Sequence, residues 1–535
     1  MPAMGVNLDA LIPREDFATD SSQTAGTLDN TISIHHLTNN AFFLSSLRKP
    51  DFQRETANWS PAKVVELIAA FLDGDLIPAI ILWRSGQYSF VIDGAHRLSA
   101  MLSWIYDDYG DRRRSLNFFE NQIPEEQIKL AEATRKLVQQ QIGTYAMYED
   151  AARDMFNAPE ELRKRLGNLA QYSFVAQWVP SVDSEAAQNS FFKINQSPTP
   201  IDQTERRILK ARRSAAAIAT RAINRAGSGH RYWGAFDSAT RSRIESLGKE
   251  INTALYLPPL GGMPIKSSDV PVAGRGYSAL PFLFDLVTLT NSVQIKDSTS
   301  SGKSSDQLKE DADGRDTIAY LESVKKVADR ITTTSAGSLG LHPLVYFYTR
   351  GGTFQPIAFL ATIKVIERLI ASGDLNRFTS VRAEVERFLM EHKEAFTLIV
   401  KRQGSGARSR PAIEAFLMKV ISGFWDGKNG AEVLDSIAQD ARFAFIAVPQ
   451  PIRSGNEDGD KRFSAATKTA AFVTELINNG VKCGICGALV HRNSMQTDHV
   501  VRKAEGGGAH AGNAQLSHPY CNTTYKEQAA KAEHE

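Results

Sequence analysis

The stretch that decides the C-terminal fold runs from residue 483 to residue 521; it opens with CGIC (483–486) and closes with HPYC (518–521). These two segments contain all three cysteines of a 535-residue chain. They offer three thiolates and one imidazole, a ligand set that holds zinc tetrahedrally: Cys483, Cys486, His518 and Cys521. The intervening segment is rich in glycine and polar residues, so we expect zinc to hold together a small domain that lacks a large core.

The loop between the two zinc segments contains TDHVV (497–501), EGGG (505–508) and GNAQL (512–516), and CN (521–522) follows. With the zinc segments, this stretch resembles the HNH, or ββα-metal, nuclease family over about residues 480–527. The resemblance implies that His499 is the general base that takes a proton from the attacking water, and that Asn513 holds its ring. It also implies that Asp498 and Asn522 bind one catalytic Mg²⁺ or Mn²⁺ ion.

Phosphodiester hydrolysis explains why these residue types are needed. The phosphate is already anionic, so attack by water requires a base and a cation that offsets the growing negative charge. Oxygen ligands suit Mg²⁺ or Mn²⁺, whereas sulfur ligands suit zinc. Two metals with separate roles are therefore expected.

Several assignments in this stretch have alternatives. His518 is expected on zinc, but the HNH family often has cysteine there, so His518 could face the catalytic ion and leave zinc three protein ligands. Lys526 could contact the phosphate or be a solvated helix lysine. His491 and His510 are expected to be ordinary loop histidines. A structural zinc module that binds a partner is the alternative to a nuclease.

A second motif, FVIDGAHRLSAML (90–102), predicts a strand that ends at Asp93, a turn at Gly94, and a helix that carries His96 and Arg97. A helix N-terminus at a tight glycine turn presents backbone N–H groups to a phosphate, and an arginine adds a fixed positive fork. Upstream, AIILW (79–83) predicts the preceding strand, and SPAKVVELIAAFLDGD (60–75) predicts a helix that begins at a serine cap.

Together with DFQRETANW (51–59) and FFKINQSPTPIDQTE (191–205), this motif resembles the N-terminal domain of GmrSD- and SspE-type defence nucleases over about residues 45–215. The resemblance implies a ParB/sulfiredoxin-like fold and a nucleoside triphosphate (NTP) site that contains Arg54, Asp93, Gly94, His96 and Arg97. Gln53 and Asn195 occupy further motif positions, and Trp59 is expected in the core. The family's DGQQR motif has Ala95 and His96 in place of its glutamines here. Nucleotide identity and hydrolysis therefore stay open, and a ParB-like DNA-binding domain without turnover is the alternative.

Composition places the chain among ordinary globular proteins. Hydrophobic residues make up 42% and charged residues 23%, and the formal net charge of +2 means that DNA contacts must come from local patches. No run of 18 apolar residues predicts a membrane span, and the N-terminus does not resemble a signal peptide. Free thiols confined to a zinc set favour a reducing cytoplasm.

These signals predict a multidomain α+β protein. Its expected parts are a flexible arm (1–30), a ParB-like NTP-binding domain (31–205), a mainly helical domain (206–452) with a disordered loop (296–316), a linker (453–462) and an HNH domain (463–535). A long basic helix in the middle domain could contact DNA or be a solvated face, through Arg206, Lys210, Arg213, Arg221 and Arg225.

The resulting hypothesis is a cytoplasmic HNH endonuclease that nicks or cleaves foreign or modified phage DNA in antiviral defence, under control of an NTP-binding domain. Its expected partners are DNA, an NTP, further copies of the chain or other defence proteins, and no membrane. The alternatives are a nucleotide-regulated DNA-binding protein with a structural zinc tail and an RNA-cleaving defence effector.

Overall fold

The computed structural model describes residues 5–15, 28–38, 41–50, 53, 56, 59–118, 123, 125–180, 208, 211–228, 233–260, 264–274, 279–293, 308–404, 408–446 and 463–528. The chain forms two compact units: Met1–Ser246 with Ile295–Ile318, and Leu247–Gln294 with Ala319–Glu535. Helices and sheets are both present, so the predicted multidomain α+β class is confirmed. The predictions on Arg54, Asn195, Arg206, Lys210 and the linker at 453–462 lie outside the described residues.

The first unit contains a six-stranded mixed sheet in the order β1–β3–β5–β4–β6–β2. Strands β4 and β5 form the predicted antiparallel hairpin, while β3 pairs with β5 and β4 pairs with β6 in parallel. The strands are β1 Arg14–Glu15, β2 Thr31–Ser33, β3 Leu47–Pro50, β4 Ile80–Ser85, β5 Tyr88–Asp93 and β6 Ser173–Trp178. The helices are Phe42–Ser46, Pro61–Asp73, Ala95–Tyr106, Arg113–Phe118, Glu125–Gln141, Tyr145–Arg153, Glu160–Gln171 and Ala215–Asn224.

The helix Pro61–Asp73 shows how local sequence fixes an element. The Ser60 side chain accepts the backbone N–H of Lys63 at 3.4 Å, and Pro61 occupies the first turn, where its missing N–H costs nothing. Gly74, with φ of 78°, ends the helix in the left-handed conformation that glycine adopts easily. The prediction of this helix from its serine cap is confirmed.

Residues 5–15 are packed into the first unit and do not form part of the flexible arm expected over residues 1–30. Val6, Leu8, Leu11 and Ile12 are buried in the core, and β1 pairs in parallel with β3. Apolar side chains spaced through a polar segment are enough to hold it when a core has room for them. The polar composition therefore misled the prediction at residues 5–15.

Two further expectations are corrected in the first unit. Arg221 is buried and Arg225 lies 3.8 Å from the Asp9 carboxylate, so these two residues do not form an exposed DNA-binding face. Disorder was predicted over residues 296–316, and this is wrong for residues 308–316, where the buried Asp311 carboxylate accepts the N–H groups of Gly314 and Thr317 at 2.9 and 2.8 Å. Those bonds cap the helix that begins at Arg315.

The second unit is mainly helical and contains the C-terminal zinc segment. Its small sheet pairs β7 (Gln496–His499) with β8 (Ala514–Ser517) in antiparallel register, and a π-helical turn, Cys521–Tyr525, follows. The helices are Ala279–Thr290, Pro343–Tyr346, Pro356–Ala371, Leu375–Ser380, Arg382–Glu391, Ala395–Gln403, Ser409–Trp425, Gly430–Ala438 and Ala465–Asn479. Two more, Ser238–Tyr256 and Arg315–Ile331, contain residues of both units.

Candidate functional site

The four predicted zinc ligands come together in the second unit. One ligand atom from each of Cys483, Cys486, His518 and Cys521 lies within 4.8 Å of the others. Gly487, with φ of 72°, completes the turn that contains Cys483 and Cys486. The N–H of Gly487 donates to the Cys483 carbonyl at 2.9 Å. Three sulfurs and one imidazole at this separation match the ligand number and type of a structural zinc site.

The ring of His518 is oriented for that site. Its Nδ1 lies 3.5 Å from the Cys486 sulfur and 3.8 Å from the Cys521 sulfur, while Nε2 lies 3.0 Å from the Leu489 carbonyl oxygen. A metal-bound imidazole commonly donates its second N–H to a carbonyl, which fixes the tautomer. This geometry supports His518 as the fourth ligand on the zinc side.

The thiols influence each other's ionisation. Hydrogen bonds from Cys486 and Cys521 lower the pKa of Cys483, and the same pairing with Cys483 raises the pKa of Cys486 to about 12. Pairing with Cys483 also raises the pKa of Cys521. Three sulfurs crowded together favour a shared cation, because zinc stabilises every thiolate at once.

A buried ion pair from a neighbouring helix supports the zinc segment. The Glu386 carboxylate accepts the backbone N–H of Leu489 at 3.0 Å and the Arg382 guanidinium at 2.7 Å. Arg382 also donates to the carbonyls of Leu339 and Gly340, the latter at 3.0 Å. The zinc segment is thus fixed, through Leu489, to a helix that lies outside its own motif.

The predicted acidic ligand, Asp498, lies on β7 with little exposure. Its Oδ2 accepts the Gln515 side-chain amide at 2.9 Å and the Lys526 ammonium at 2.8 Å. Lys526 also donates to the backbone carbonyl of His499. The Lys526 ammonium is therefore not fully solvated, and in this conformation it is not available to contact a phosphate.

The other predicted oxygen ligand, Asn522, faces the same strand. Its Nδ2 donates to the Gln496 side-chain oxygen at 3.1 Å, which leaves Oδ1 as the atom suited to a cation. Gln496 and Asp498 are two residues apart on β7, and alternate strand residues share a face. Asn522 and Asp498 are thereby directed toward one side of the small sheet.

The Asn513 side chain is engaged by the backbone of the loop after β7, and its expected role in holding the His499 ring stays a prediction. Both donor positions of its amide are engaged by backbone carbonyls, Val501 at 3.1 Å and Gly508 at 2.8 Å, and its Oδ1 accepts the Val501 N–H at 2.7 Å. These bonds close the loop after β7. Asn513 therefore orders the chain that follows His499.

His499, the predicted general base, is the last residue of β7 and pairs with Ala514 in the ladder. Its side chain is partly exposed, and the next two residues, Val500 and Val501, are about half exposed. The His499 side chain therefore stands at a strand end that solvent can reach.

The N-terminal motif has the predicted strand–turn–helix form. Strand β5 ends at Asp93, Gly94 has φ of 97°, and the helix begins at Ala95. A side chain at residue 94 would lie 2.5 Å from the Ile80 side chain, so glycine is required for space as well as for conformation. Arg97 donates to Asp93 at 2.7 Å and to the Ala79 carbonyl at 3.1 Å.

The ring of His96 stacks on Trp59, with centroids 5.6 Å apart and planes 24° apart. Trp59 itself packs against the core of the first unit, as expected. The stacking thus places the segment Asp93–Arg97 beside Trp59, the last residue of the second motif segment, DFQRETANW (51–59).

Sequence reasoning missed a buried charge cluster next to the segment 51–59. Asp9 lies 2.8 Å from Arg14 and 2.6 Å from Lys49. Burial favours a neutral carboxyl, but the charges of Arg14 and Lys49 outweigh it and hold the pKa of Asp9 well below its usual range. Burial lowers the pKa of Lys49 to about 8. Arg14 also donates to the Gln53 carbonyl, so the cluster anchors the start of that segment.

His491 was expected to be a loop histidine, but it is buried. Its Nε2 lies 3.0 Å from the Val270 carbonyl oxygen, and its ring meets the His342 ring edge to face at 5.6 Å. No periodic signal in the sequence distinguishes this histidine from an exposed one, because its partners are about 150 and 220 residues away.

Comparison with known families agrees with both motifs. Residues 34–213 match the model of the GmrSD restriction endonuclease N-terminal domain, and residues 483–528 match the HNH endonuclease model. No curated protein and no solved structure gives a match. Among the described residues, no helix is both long and apolar enough to cross a membrane. The chain therefore joins a GmrSD-type N-terminal domain to an HNH endonuclease domain, which confirms the resemblance and supports a nuclease of the restriction type.

Proposed function

We propose that this chain hydrolyses phosphodiester bonds of foreign or modified phage DNA in a cytoplasmic defence role, and that an NTP bound by its N-terminal domain regulates the cut. The observation that carries the proposal is the position of Asp498 and His499 at the end of β7, beside a Cys3His cluster and within the HNH match. This arrangement supplies a base, oxygen ligands and a fixed frame.

In the proposed reaction, the imidazole of His499 accepts the proton of the attacking water. Asp498 and Asn522 offer a carboxylate and an amide oxygen, which fit Mg²⁺ or Mn²⁺, and such an ion would offset the charge that grows on the phosphate. Asn513 keeps the loop after His499 in place through its three backbone bonds. Zinc, held by the four clustered ligands, would stabilise the frame without contacting substrate.

In the N-terminal domain, the first turn of the helix at Ala95 and the guanidinium of Arg97 are suited to the phosphates of an NTP. Asp93 and His96 are the other residues of the motif that we place in that NTP site. We propose that nucleotide binding first breaks the Arg97–Asp93 pair, because the guanidinium would exchange one anionic partner for another. Hydrolysis of the nucleotide is not required for this role.

The contacts of the HNH domain bear on how regulation would work. Tyr520, next to the ligand Cys521, bonds to two other parts of the same unit: its hydroxyl donates to Asn376 on the helix Leu375–Ser380 at 2.8 Å, and its N–H donates to the Ser338 carbonyl, after the helix Arg315–Ile331, at 2.9 Å. We therefore propose that regulation acts through these helices, rather than by release of a tethered tail.

The deciding experiment incubates the purified full chain with supercoiled plasmid and phage genomic DNA, with Mg²⁺ or Mn²⁺, and with or without each NTP. His499→Ala should lose cleavage and keep one zinc per chain, while His510→Ala, at an exposed loop histidine, should cleave normally. Cleavage that persists in His499→Ala would overturn the assigned base. A zinc-loaded wild-type protein that binds DNA without cutting it would support a binding protein, and cleavage confined to RNA would redirect the substrate.

A further inference from the structure

The contact between Lys526 and Asp498 occupies the carboxylate that a divalent ion would need. The Lys526 ammonium lies 2.8 Å from Asp498 Oδ2 and also donates to the His499 carbonyl. The two side chains are only 16% and 8% exposed, so water screens the pair less than it would screen a surface salt bridge. A positive charge is thus already present beside the candidate metal ligand.

The surrounding structure holds the lysine in this place. Asn522 and Lys526 are four residues apart on one helical segment, and they contact Gln496 and Asp498, two residues apart on β7. The Arg502 guanidinium donates to the Lys526 carbonyl at 2.7 Å and fixes the end of that segment. The Lys526–Asp498 contact and the Asn522–Gln496 contact together join this helical segment to β7, so the lysine is not part of an isolated surface pair.

We propose that Lys526 is a resident cation that competes with the divalent ion for Asp498, so that the site binds metal tightly only when a phosphodiester gives the ammonium another partner. An ion at Asp498 and the ammonium that lies 2.8 Å from Asp498 Oδ2 would repel each other, so the ion would bind more weakly while the lysine stays in place. A DNA phosphate next to the site would attract the displaced ammonium. Metal binding and substrate binding would then strengthen each other, since coupling of this kind is reciprocal.

This inference rests on the proposed metal role of Asp498, and its test separates the two. Mn²⁺ binding is titrated by electron paramagnetic resonance in a His499→Ala background, with and without a short DNA duplex. Without DNA, Lys526→Met should bind Mn²⁺ roughly threefold to tenfold more tightly, because loss of the competing charge removes a partly buried ion pair. DNA should raise Mn²⁺ affinity in the Lys526 protein by more than it does in Lys526→Met.

Three control variants make the outcome decisive. Lys526→Arg keeps the charge and should keep weak Mn²⁺ binding, and Lys503→Gln, at an exposed lysine of the loop after β7, should change nothing. Asp498→Asn should lose Mn²⁺ binding in every background. If Asp498→Asn still binds Mn²⁺ normally, the proposed metal site is wrong; if it fails to bind but Lys526→Met is unchanged or weaker, only the competition is wrong. One zinc per chain in each variant excludes misfolding as the cause.

Discussion

Glu386 accepts the backbone N–H of Leu489 at 3.0 Å, so a helix more than 100 residues away in sequence holds the zinc segment in place. The same carboxylate pairs with Arg382, whose side chain is fully buried. This carboxylate therefore links the helix Arg382–Glu391 to the zinc segment, and its surroundings lead to predictions on stability as well as on activity.

Loss of the Arg382 charge should destabilise the second unit strongly. Arg382→Met leaves the Glu386 carboxylate buried without its ion partner, which costs about 3–5 kcal/mol of the free energy of unfolding. Urea unfolding of the full chain measures it, and Arg387→Met, at an exposed arginine of the same helix, is the control. Adding Glu386→Gln to Arg382→Met should recover part of the loss; a cost under about 1 kcal/mol for Arg382→Met would contradict the role of the pair.

Zinc binding should depend on His518. His518→Ala removes one of four ligands, so most of the zinc should be released to a chelator that leaves it on the wild type. His518→Cys restores a thiolate ligand and should retain the ion. Metal content by mass spectrometry decides the matter. Full zinc retention in His518→Ala, with loss of Mn²⁺ binding instead, would place this histidine on the catalytic ion.

The variant Asn513→Asp tests whether Asn513 acts by ordering the loop after β7 or by holding the ring of His499. Aspartate keeps an acceptor oxygen but loses the donors that reach Val501 and Gly508, and each unsatisfied carbonyl costs about 1–3 kcal/mol locally. We expect faster hydrogen exchange over residues 501–508 and at least tenfold slower cleavage, by about 1.4 kcal/mol or more. Asn117→Asp, at an exposed asparagine, is the control. Normal cleavage by Asn513→Asp would show that the acceptor alone matters.

Gly94→Ala should destabilise the first unit. The residue has φ of 97°, and a Cβ there would meet the Ile80 side chain at 2.5 Å, so strain and overlap add to at least about 1–3 kcal/mol. Gly167→Ala is the matched control, because this glycine lies inside a helix with open space around it and should gain about 0.5–1 kcal/mol. Equal midpoints for the two variants in urea would refute the assigned geometry.

Stability should fall in mild acid because of His491. Burial lowers its pKa to about 4, whereas an unfolded histidine titrates near about 6.5. Between these values the unfolded chain binds a proton that the folded chain does not, so stability decreases as pH falls, by about 2 kcal/mol at pH 5 from this residue. His491→Gln keeps a nitrogen for Val270 and should reduce the difference in unfolding free energy between pH 7.5 and pH 5. An unchanged difference would argue against this source, and exposed His510→Gln is the control.

Sequence patterns predicted the elements whose causes are local. The helix Pro61–Asp73 follows from a serine cap, a proline and a closing glycine, and the hairpin β4–β5 follows from two apolar runs around a turn. The Cys3His set could be read because its ligand types and spacing are rare together. The segment 5–15 was mispredicted, because its burial depends on core space that other elements create.

The sequence by itself determined which chemical groups are present: three thiols and an imidazole for the proposed zinc site, Asp498 and His499 for the proposed hydrolytic site, and a glycine turn before an arginine-bearing helix. Tertiary structure alone decided how those groups are engaged. It paired Lys526 with Asp498, assigned the Asn513 amide to the loop backbone, and buried Arg382 and Glu386 beside the zinc segment. The physical reason is that spacing along the chain fixes short-range geometry, whereas burial and charge partners depend on residues brought together from distant positions.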